Sequence, residues 1–96
     1  MKVRYSKLAL GELDVILAGI AKDNFAAAVR FDGRVERVVE RIGQFPEGAQ
    51  EVAERSGVRR VPLVRYPYVV YYRVIESEVM ILRIVHGARR NPWEQL

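Results

Sequence analysis

The sequence predicts an α+β domain in which a helical hairpin covers one face of a mostly antiparallel, four-stranded sheet. Apolar residues recur at helical spacing over residues 7–42, whereas residues 57–85 are rich in β-branched and aromatic residues separated by turn signals. The predicted order is β-α-α-β-β-β, and a run of helices beside a run of strands is typical of this class. With 96 residues, half of them hydrophobic, we expect a single domain over residues 1–96.

The first predicted strand is Lys2–Tyr5, and a helix is predicted from Lys7 to about Ala21. Ser6 stands at the N-cap position, where its hydroxyl can accept hydrogen bonds from the first free amides of that helix. The first helix therefore has both an apolar stripe and a start signal.

A second helix is predicted from Phe25 to about Ile42, with Asp23 or Asn24 as its cap and Gly43 as its stop. The short break between the helices makes them an antiparallel hairpin. The second helix also carries a stripe of arginines beside its apolar face, which is either a solvated surface or one wall of an anion-binding surface. The stripe consists of Arg30, Arg34, Arg37 and Arg41.

The remaining strands follow a turn at residues 45–48. A strand over residues 57–63 should end near Val61, because Pro62 cannot donate to a ladder, and the next should begin near Tyr68. Residues 69–75 and 79–85 then form a hairpin around Glu76, Ser77 and Glu78. Both of its strands are apolar at nearly every position, which places the hairpin at the centre of the sheet.

Side chains alternate along a strand, so the hairpin assigns residues to two faces. If Ser77 centres the turn, Tyr71 lies opposite Arg83 and Arg73 lies opposite Ile81. One face, expected to lie on the core, carries Tyr68, Val70, Tyr72, Val74, Met80, Leu82, Ile84 and His86. The other face is apolar with two guanidinium groups and is expected to bind a partner; it carries Val69, Tyr71, Arg73, Ile75, Val79, Ile81, Arg83 and Val85.

Composition excludes several classes of site. The chain has no cysteine and one histidine, so a disulfide, a Cys/His catalytic pair and a histidine metal cluster are excluded, and no metal or cofactor is expected. No phosphate-cradling glycine motif is present. No signal peptide or membrane-spanning run is visible, and the lack of cysteine suits a cytoplasmic protein.

The positive charge is concentrated in the second half of the chain. Residues 1–56 hold nine basic and nine acidic residues, whereas residues 57–96 hold seven arginines and three glutamates, which accounts for the whole net charge of +4. Arginine forks suit carboxylates and phosphates, so an acidic protein or a nucleic acid is a plausible partner. A merely soluble basic surface is the alternative.

Metal-free RNA cleavage needs a base and cations, and His86 beside Arg89 and Arg90 is a candidate. The alternative is a hydrogen-bonded histidine at a strand end. Trp93 after Pro92 is interpreted as an anchor for the tail or as part of a partner surface.

Three segments carry a resemblance to a known family: IGQFPEG at 42–48, YPYVVYYR at 66–73 and VIESEVMILRIVHGARR at 74–90. Together with the element order, they resemble the RelE/ParE superfamily of toxins from bacterial type II toxin–antitoxin modules of the plasmid-stabilisation kind. The resemblance runs from Val3 to Trp93. It implies a small growth-inhibiting toxin, neutralised by an antitoxin whose disordered, often acidic segment folds onto it.

The superfamily has two branches with different targets. One cuts mRNA in the ribosome, and the other inhibits DNA gyrase by binding. Arg89 matches an arginine of the ribonuclease branch, but Val69 stands where that branch has another arginine, and Trp93 is the nearest aromatic to its tail tyrosine. The lysines of that branch have no counterpart after Lys22, and the HGAR ending is more similar to the gyrase-directed branch.

The leading hypothesis is thus a ParE-like toxin that binds DNA gyrase and a cognate antitoxin. The alternatives are a RelE-like ribosome-dependent endoribonuclease with His86 and Arg89 as catalytic residues, and an inactive relative that only binds an antitoxin. The candidate partner-binding residues are Arg59, Arg60, Arg65, Tyr71, Arg73, Arg83, Arg89, Arg90 and Trp93.

Overall fold

The computed structural model describes residues 1–92, and seven elements follow one another in that part of the chain. They are β1 (Lys2–Tyr5), α1 (Lys7–Asp23), α2 (Phe25–Gln44), β2 (Gln50–Glu51), β3 (Arg59–Pro62), β4 (Tyr68–Ile75) and β5 (Glu78–His86). The strands form one sheet in the order β1-β5-β4-β3-β2, with β1 parallel to β5 and every other neighbouring pair antiparallel.

The predicted α+β class and helical hairpin are confirmed, but the sheet has five strands over the described residues rather than four. The additional strand is β2, whose Gln50 and Glu51 pair with Arg60 and Arg59 of β3. Two polar residues carry no period-2 apolar pattern, so a strand this short leaves no signal in the sequence.

Both helices begin at the predicted caps. The Ser6 hydroxyl accepts a hydrogen bond from the Ala9 amide at 3.0 Å, and the Asn24 side chain accepts one from the Ala27 amide at 3.0 Å. Each cap satisfies an amide that would otherwise lack an intrahelical partner. Because Asn24 alone separates the helices, they fold back on each other as a hairpin.

Gly43 does not end α2 as predicted, because the helix continues to Gln44. Its backbone is approached closely by β1: a Cβ at this position would lie 3.0 Å from the Met1 carbonyl oxygen and 3.0 Å from a methyl carbon of Val3. The terminal amino group of Met1 also donates to the Gly43 carbonyl at 2.9 Å. The glycine therefore serves the packing of β1 against α2.

The helix-facing side of the sheet carries the main core. Phe31 of α2 is fully buried there, and its ring makes edge contacts with Tyr66 and Tyr68 at centroid distances of 4.9 and 5.5 Å. The buried members of this core are Ala9, Leu13, Phe31, Val35, Val39, Ile42, Leu63, Val70, Tyr72, Val79, Ile81 and Ile84.

The opposite side of the sheet, which we call the far face, carries a second core. Its buried members are Val52, Val58, Val69, Tyr71, Leu82 and Val85. Val52 and Val58 belong to the loop between β2 and β3, and the Val52 amide donates to the Val58 carbonyl at 2.7 Å. The far face is therefore closed by the chain's own 52–58 loop, and the expectation of an open, partner-binding face there is wrong.

The register of the β4–β5 hairpin explains which residues reach which face. The turn has two residues, Glu76 and Ser77, both with positive φ, so Arg73 pairs with Met80 and not with Ile81. Farther from the turn, the pairing is irregular between Tyr72 and Tyr71: Tyr72 pairs with Ile81, whereas Tyr71 pairs with Arg83, so Leu82 is an extra residue on β5. The predicted Tyr71–Arg83 pair is thereby restored. A bulge of this kind shifts the alternation.

As a consequence, the predicted faces are correct for β4 and for the open end of β5, and wrong for β5 near the turn. Val79 and Ile81 join the helix-facing core, whereas Leu82 joins the far face.

Across residues 1–92, neither helix has the length and apolar character needed to cross a bilayer.

Candidate partner-binding site

The Arg83 guanidinium lies at the junction of α1, β5 and the C-terminal tail, by which we mean residues 87–92. Its Nε donates to Glu12 Oε2 at 3.2 Å, Nη2 forms an ion pair with the same carboxylate, and Nη1 donates to the Pro92 carbonyl at 2.9 Å. Glu12 also accepts the Ile84 amide at 3.1 Å. Arg83 is 2% exposed, and every part of its fork has a partner.

Two further strand arginines hold loops of the same chain. Arg59 of β3 donates to the carbonyls of Glu47 and Ala49 at 3.2 and 2.6 Å, which fixes the loop after α2. Arg73 of β4 donates to the Ser56 carbonyl at 3.1 Å, which fixes the 52–58 loop. A hydrogen bond from a guanidinium group to a carbonyl oxygen is stronger than a hydrogen bond between two neutral groups.

These contacts change the interpretation of the predicted site. Arg83 and Tyr71 are buried, so the prediction that they lie on an exposed surface is wrong. Arg59 and Arg73 are half-buried and donate to main-chain carbonyls of the loops they hold. Among the described residues, four of the predicted arginines remain for a partner to contact: Arg60, Arg65, Arg89 and Arg90. Trp93 lies outside the described residues.

His86 ends β5 beside the tail. Its Nδ1 accepts the Ala88 amide at 3.0 Å, and its ring makes an edge contact with Tyr68 at 5.9 Å between centroids. The Arg89 amide donates to the His86 carbonyl at 3.0 Å, which closes a turn and places both side chains on one surface. His86 is therefore a strand-end residue with a defined local hydrogen bond, and its other ring nitrogen faces away from that bond.

One groove runs between α1 and the end of β5, and we call it the α1–β5 groove. It has a volume of about 550 Å³. Leu8 and Val15 on its helix wall are 38% and 73% exposed, with Gly11 between them. Ile84, His86 and Arg89 form the other wall.

The second groove, of about 360 Å³, runs between the end of α2 and β3, and we call it the α2–β3 groove. Arg60 and Pro62 line it, and on its helix side Arg41 lies over the Phe45 ring at 5.4 Å from the centroid. The Tyr72 hydroxyl at its floor donates to the Pro46 carbonyl at 2.7 Å. Burial raises the pKa of Tyr72, although the Arg59 guanidinium opposes the shift.

The remaining predicted residues lie on open surface. Arg65 is exposed in the turn between β3 and β4 with φ 72°, and Arg90 is exposed in the tail. The arginine stripe on α2 is also exposed or half-buried, as expected for a solvated helix face. No group of three acidic or histidine side chains within residues 1–92 could hold a metal ion.

Glu12 was not among the predicted site residues, although it positions both Arg83 and the edge of β5. A signal for it exists in the sequence, because it lies three residues after Ala9 and four before Ile16, on the buried side of α1. A carboxylate in an apolar stripe requires a cation or several donors. The same helix carries Leu8, Gly11 and Val15 at helical spacing, which indicates a second, exposed apolar stripe.

Taken together, the fold and the surface of the described residues define a small α+β domain in which the α1–β5 groove and the α2–β3 groove each have arginine at the rim. The sequence profile of the family described as "ParE toxin of type II toxin-antitoxin system, parDE" matches residues 3–91. A protein of Sinorhizobium fredii described as "Putative toxin Y4kP" is 32% identical over 91 residues, which covers 95% of this chain and 93% of that protein. The chain belongs to the ParE toxin family of type II toxin–antitoxin systems.

A solved structure extends the likeness to the fold. The chain described as "Chromosomal ParDE TA system from P. aeruginosa" superposes with a TM-score of 0.78 and is 27% identical, with 90% of this chain and 95% of that chain covered. The predicted family resemblance, and its ParE branch in particular, are confirmed.

Proposed function

We propose that this chain is a growth-inhibiting toxin that acts in the cytoplasm by binding DNA gyrase, and that an antitoxin encoded beside it neutralises it. Membership of the ParE family carries the proposal, since the gyrase-directed branch inhibits by binding. The exposed tail with Arg89 and Arg90 supports a binding mode of action, because Arg83 and Glu12 hold that tail in one position while both tail guanidinium groups remain accessible.

The first test is induced expression of the chain without the product of the adjacent reading frame. Growth arrest with loss of supercoiling activity and intact transcripts is expected. In a supercoiling assay with purified gyrase, Arg89→Ala should weaken inhibition by tenfold or more, as expected for an interface arginine. Arg30→Ala, an exposed arginine on α2, is the matched control and should inhibit like the wild type.

A second candidate is a ribosome-dependent endoribonuclease, favoured by one observation: His86 and Arg89 line the same groove. A base and a cation in one groove are the minimum for cleavage at a 2′-hydroxyl. Cleavage of ribosome-bound transcripts, lost in His86→Gln, would support this candidate against gyrase binding. Unimpaired growth on induction would instead identify a relative that only binds an antitoxin.

A further inference from the structure

We propose that the arginine stripe of α2, together with Arg60 of β3, binds the phosphate backbone of duplex DNA without reading its sequence. The proposed function relies on the tail with Arg89 and assigns no role to this part of the surface. Binding of this kind needs neither gyrase nor an antitoxin. Three properties of the surface support it.

The first property is a straight row of positive charge. Arg30, Arg34, Arg37 and Arg41 follow one another at intervals of four, three and four residues, so they project from one side of α2. Arg34 is half-buried, and the other three are exposed. At 1.5 Å per residue the row is about 16 Å long, which corresponds to about five base pairs of a duplex. A rigid helix therefore presents its charges along a line that a stiff duplex can follow.

The second property is the lack of counter-charges beside this row. Within residues 1–92, no arginine of the stripe forms an ion pair with a carboxylate. Arginines four residues apart on a helix repel one another, so the spacing is unfavourable until an anion neutralises it. The carboxylates of α2 project roughly 90–170° away from the stripe around the helix axis. They belong to Asp32, Glu36 and Glu40.

The third property is continuity with the edge of the sheet. On the helical wheel, Val38 lies between the stripe and the buried side of α2, and it lines the α2–β3 groove with Arg41 and Arg60. The stripe therefore faces β3, and Arg60 adds a positive charge on the opposite wall of the groove. A cleft with charges of one sign on both walls concentrates the electrostatic potential, which suits the ridge of a phosphate backbone.

The surroundings of the stripe favour a duplex over a single strand. Single strands are bound largely by aromatic rings on which the bases stack. Phe45 is an exposed ring at the C-terminal end of the stripe, but the Arg41 guanidinium covers it at 5.4 Å from the centroid. Ala27 and Gly33 flank the row, so a wide rod can approach it closely. These two residues offer no side-chain hydrogen bond to a base edge, so we expect binding that is independent of sequence.

The test measures the affinity of the purified toxin for a labelled DNA duplex of about 20 base pairs, by fluorescence polarisation from about 50 to about 200 mM salt. Micromolar or tighter binding is expected at the lowest salt concentration. If all five arginines contact phosphates, the logarithm of Kd should rise with the logarithm of the salt concentration with a slope of about 4.5.

Arg34→Gln/Arg37→Gln removes two charges from the middle of the row. It should weaken binding at least tenfold and lower the salt slope by about 2, because two phosphate contacts are lost. Glutamine has nearly the helix propensity of arginine, so this variant should fold. Arg34→Lys/Arg37→Lys keeps both charges and should bind within about threefold of the wild type, because lysine contacts a phosphate as a point charge.

Lys7→Gln/Lys22→Gln is the matched control. It removes the same charge from exposed positions of α1, away from the stripe, and should weaken binding by less than about threefold. Equal losses in this control and in Arg34→Gln/Arg37→Gln would mean that net charge alone is responsible, and the assignment to the stripe would be wrong.

Two further results would overturn the inference. One is the absence of duplex binding by the wild type at the lowest salt concentration. The other is tighter binding of a single strand of the same sequence, or of an RNA duplex, since the surface would then suit a different nucleic acid. The assay contains no gyrase, so these results leave the proposed function untouched. A toxin that binds the duplex as expected but does not inhibit gyrase would overturn the proposed function alone.

Discussion

The two faces of the sheet are both buried, but they are covered by different means. Two helices of 17 and 20 residues cover one face with a continuous apolar surface. The far face is covered by the short 52–58 loop, which contributes only Val52 and Val58. Arginines from the strands hold the neighbouring segments in place: Arg73 binds the 52–58 loop, and Arg83 binds the C-terminal tail.

The comparison shows what an arginine in an apolar strand signifies in this fold. A helix satisfies its own backbone, whereas a loop or tail brings carbonyls that need donors when they are packed against a sheet. A guanidinium supplies several donors at once, and its stem packs along the apolar surface. The strand arginines of this chain therefore complete its fold, whereas the arginines of the tail and groove rims are accessible to a partner.

The largest expected effect tests whether the far face is a true core. Ile81→Ala and Leu82→Ala remove neighbouring side chains that point to opposite faces, and each should lower the free energy of unfolding by about 3 kcal/mol. Val15→Ala, at an exposed position, should change it by less than about 0.5 kcal/mol. Urea unfolding followed by circular dichroism measures all three. A Leu82→Ala variant as stable as Val15→Ala would show that the far face is not closed in solution.

The next effect concerns the junction at Arg83. Arg83→Met should cost about 3 kcal/mol, because it leaves the mostly buried Glu12 carboxylate without its cation. The double variant Arg83→Met/Glu12→Gln removes the unpaired charge while an amide oxygen can still accept the Ile84 amide, so it should recover at least about 1 kcal/mol. Additive losses in the double-mutant cycle would mean that the two side chains are not coupled.

The same variants report on the tail. The only tryptophan of the chain is Trp93, the residue after Pro92, so its fluorescence is a specific probe of that segment. Arg83→Met should shift the emission, whereas Arg59→Met, which releases the loop after α2, should leave it unchanged. Equal emission in the two variants would contradict a role for Arg83 in holding the tail.

Much of this comparison could be predicted from the sequence, and the features that could not be predicted have physical causes. The caps at Ser6 and Asn24 and the hairpin were predicted because local chemistry specifies them. The assignment of Ile81 and Leu82 was wrong, because the two-residue turn and the bulge each shift the alternation by one residue and only their combination gives the final register. Neither the partner of Arg83, 71 residues away at Glu12, nor the closure of the far face follows from local patterns.

A smaller effect is expected at Tyr72, which belongs to the helix-facing core. Tyr72→Phe removes the hydrogen bond to Pro46 and should cost about 1 kcal/mol at neutral pH. Burial raises the pKa of Tyr72 above its ordinary value of 10.0, so its contribution is fully present below pH 10 and is lost as pH rises through the folded-state pKa. Wild-type stability should therefore fall more steeply above pH 10 than that of Tyr72→Phe, as measured by unfolding at each pH. Parallel pH profiles would contradict this assignment.

The smallest effect concerns the turn that sets the register and thereby sends Ile81 and Leu82 to opposite faces. Glu76 and Ser77 have φ of 47° and 69°, a region that is costly for residues with a Cβ, and two-residue hairpin turns of this kind favour Asn-Gly. Glu76→Asn/Ser77→Gly should therefore raise the free energy of unfolding by about 0.5–1 kcal/mol. Ser56→Gly, in the loop held by Arg73, is the control and should lower it slightly, because Ser56 does not have a positive φ and glycine adds only unfolded-state entropy there. Equal destabilisation by both changes would mean that the turn is not held in this conformation in solution, and the register that separates the two faces would then lack its local cause.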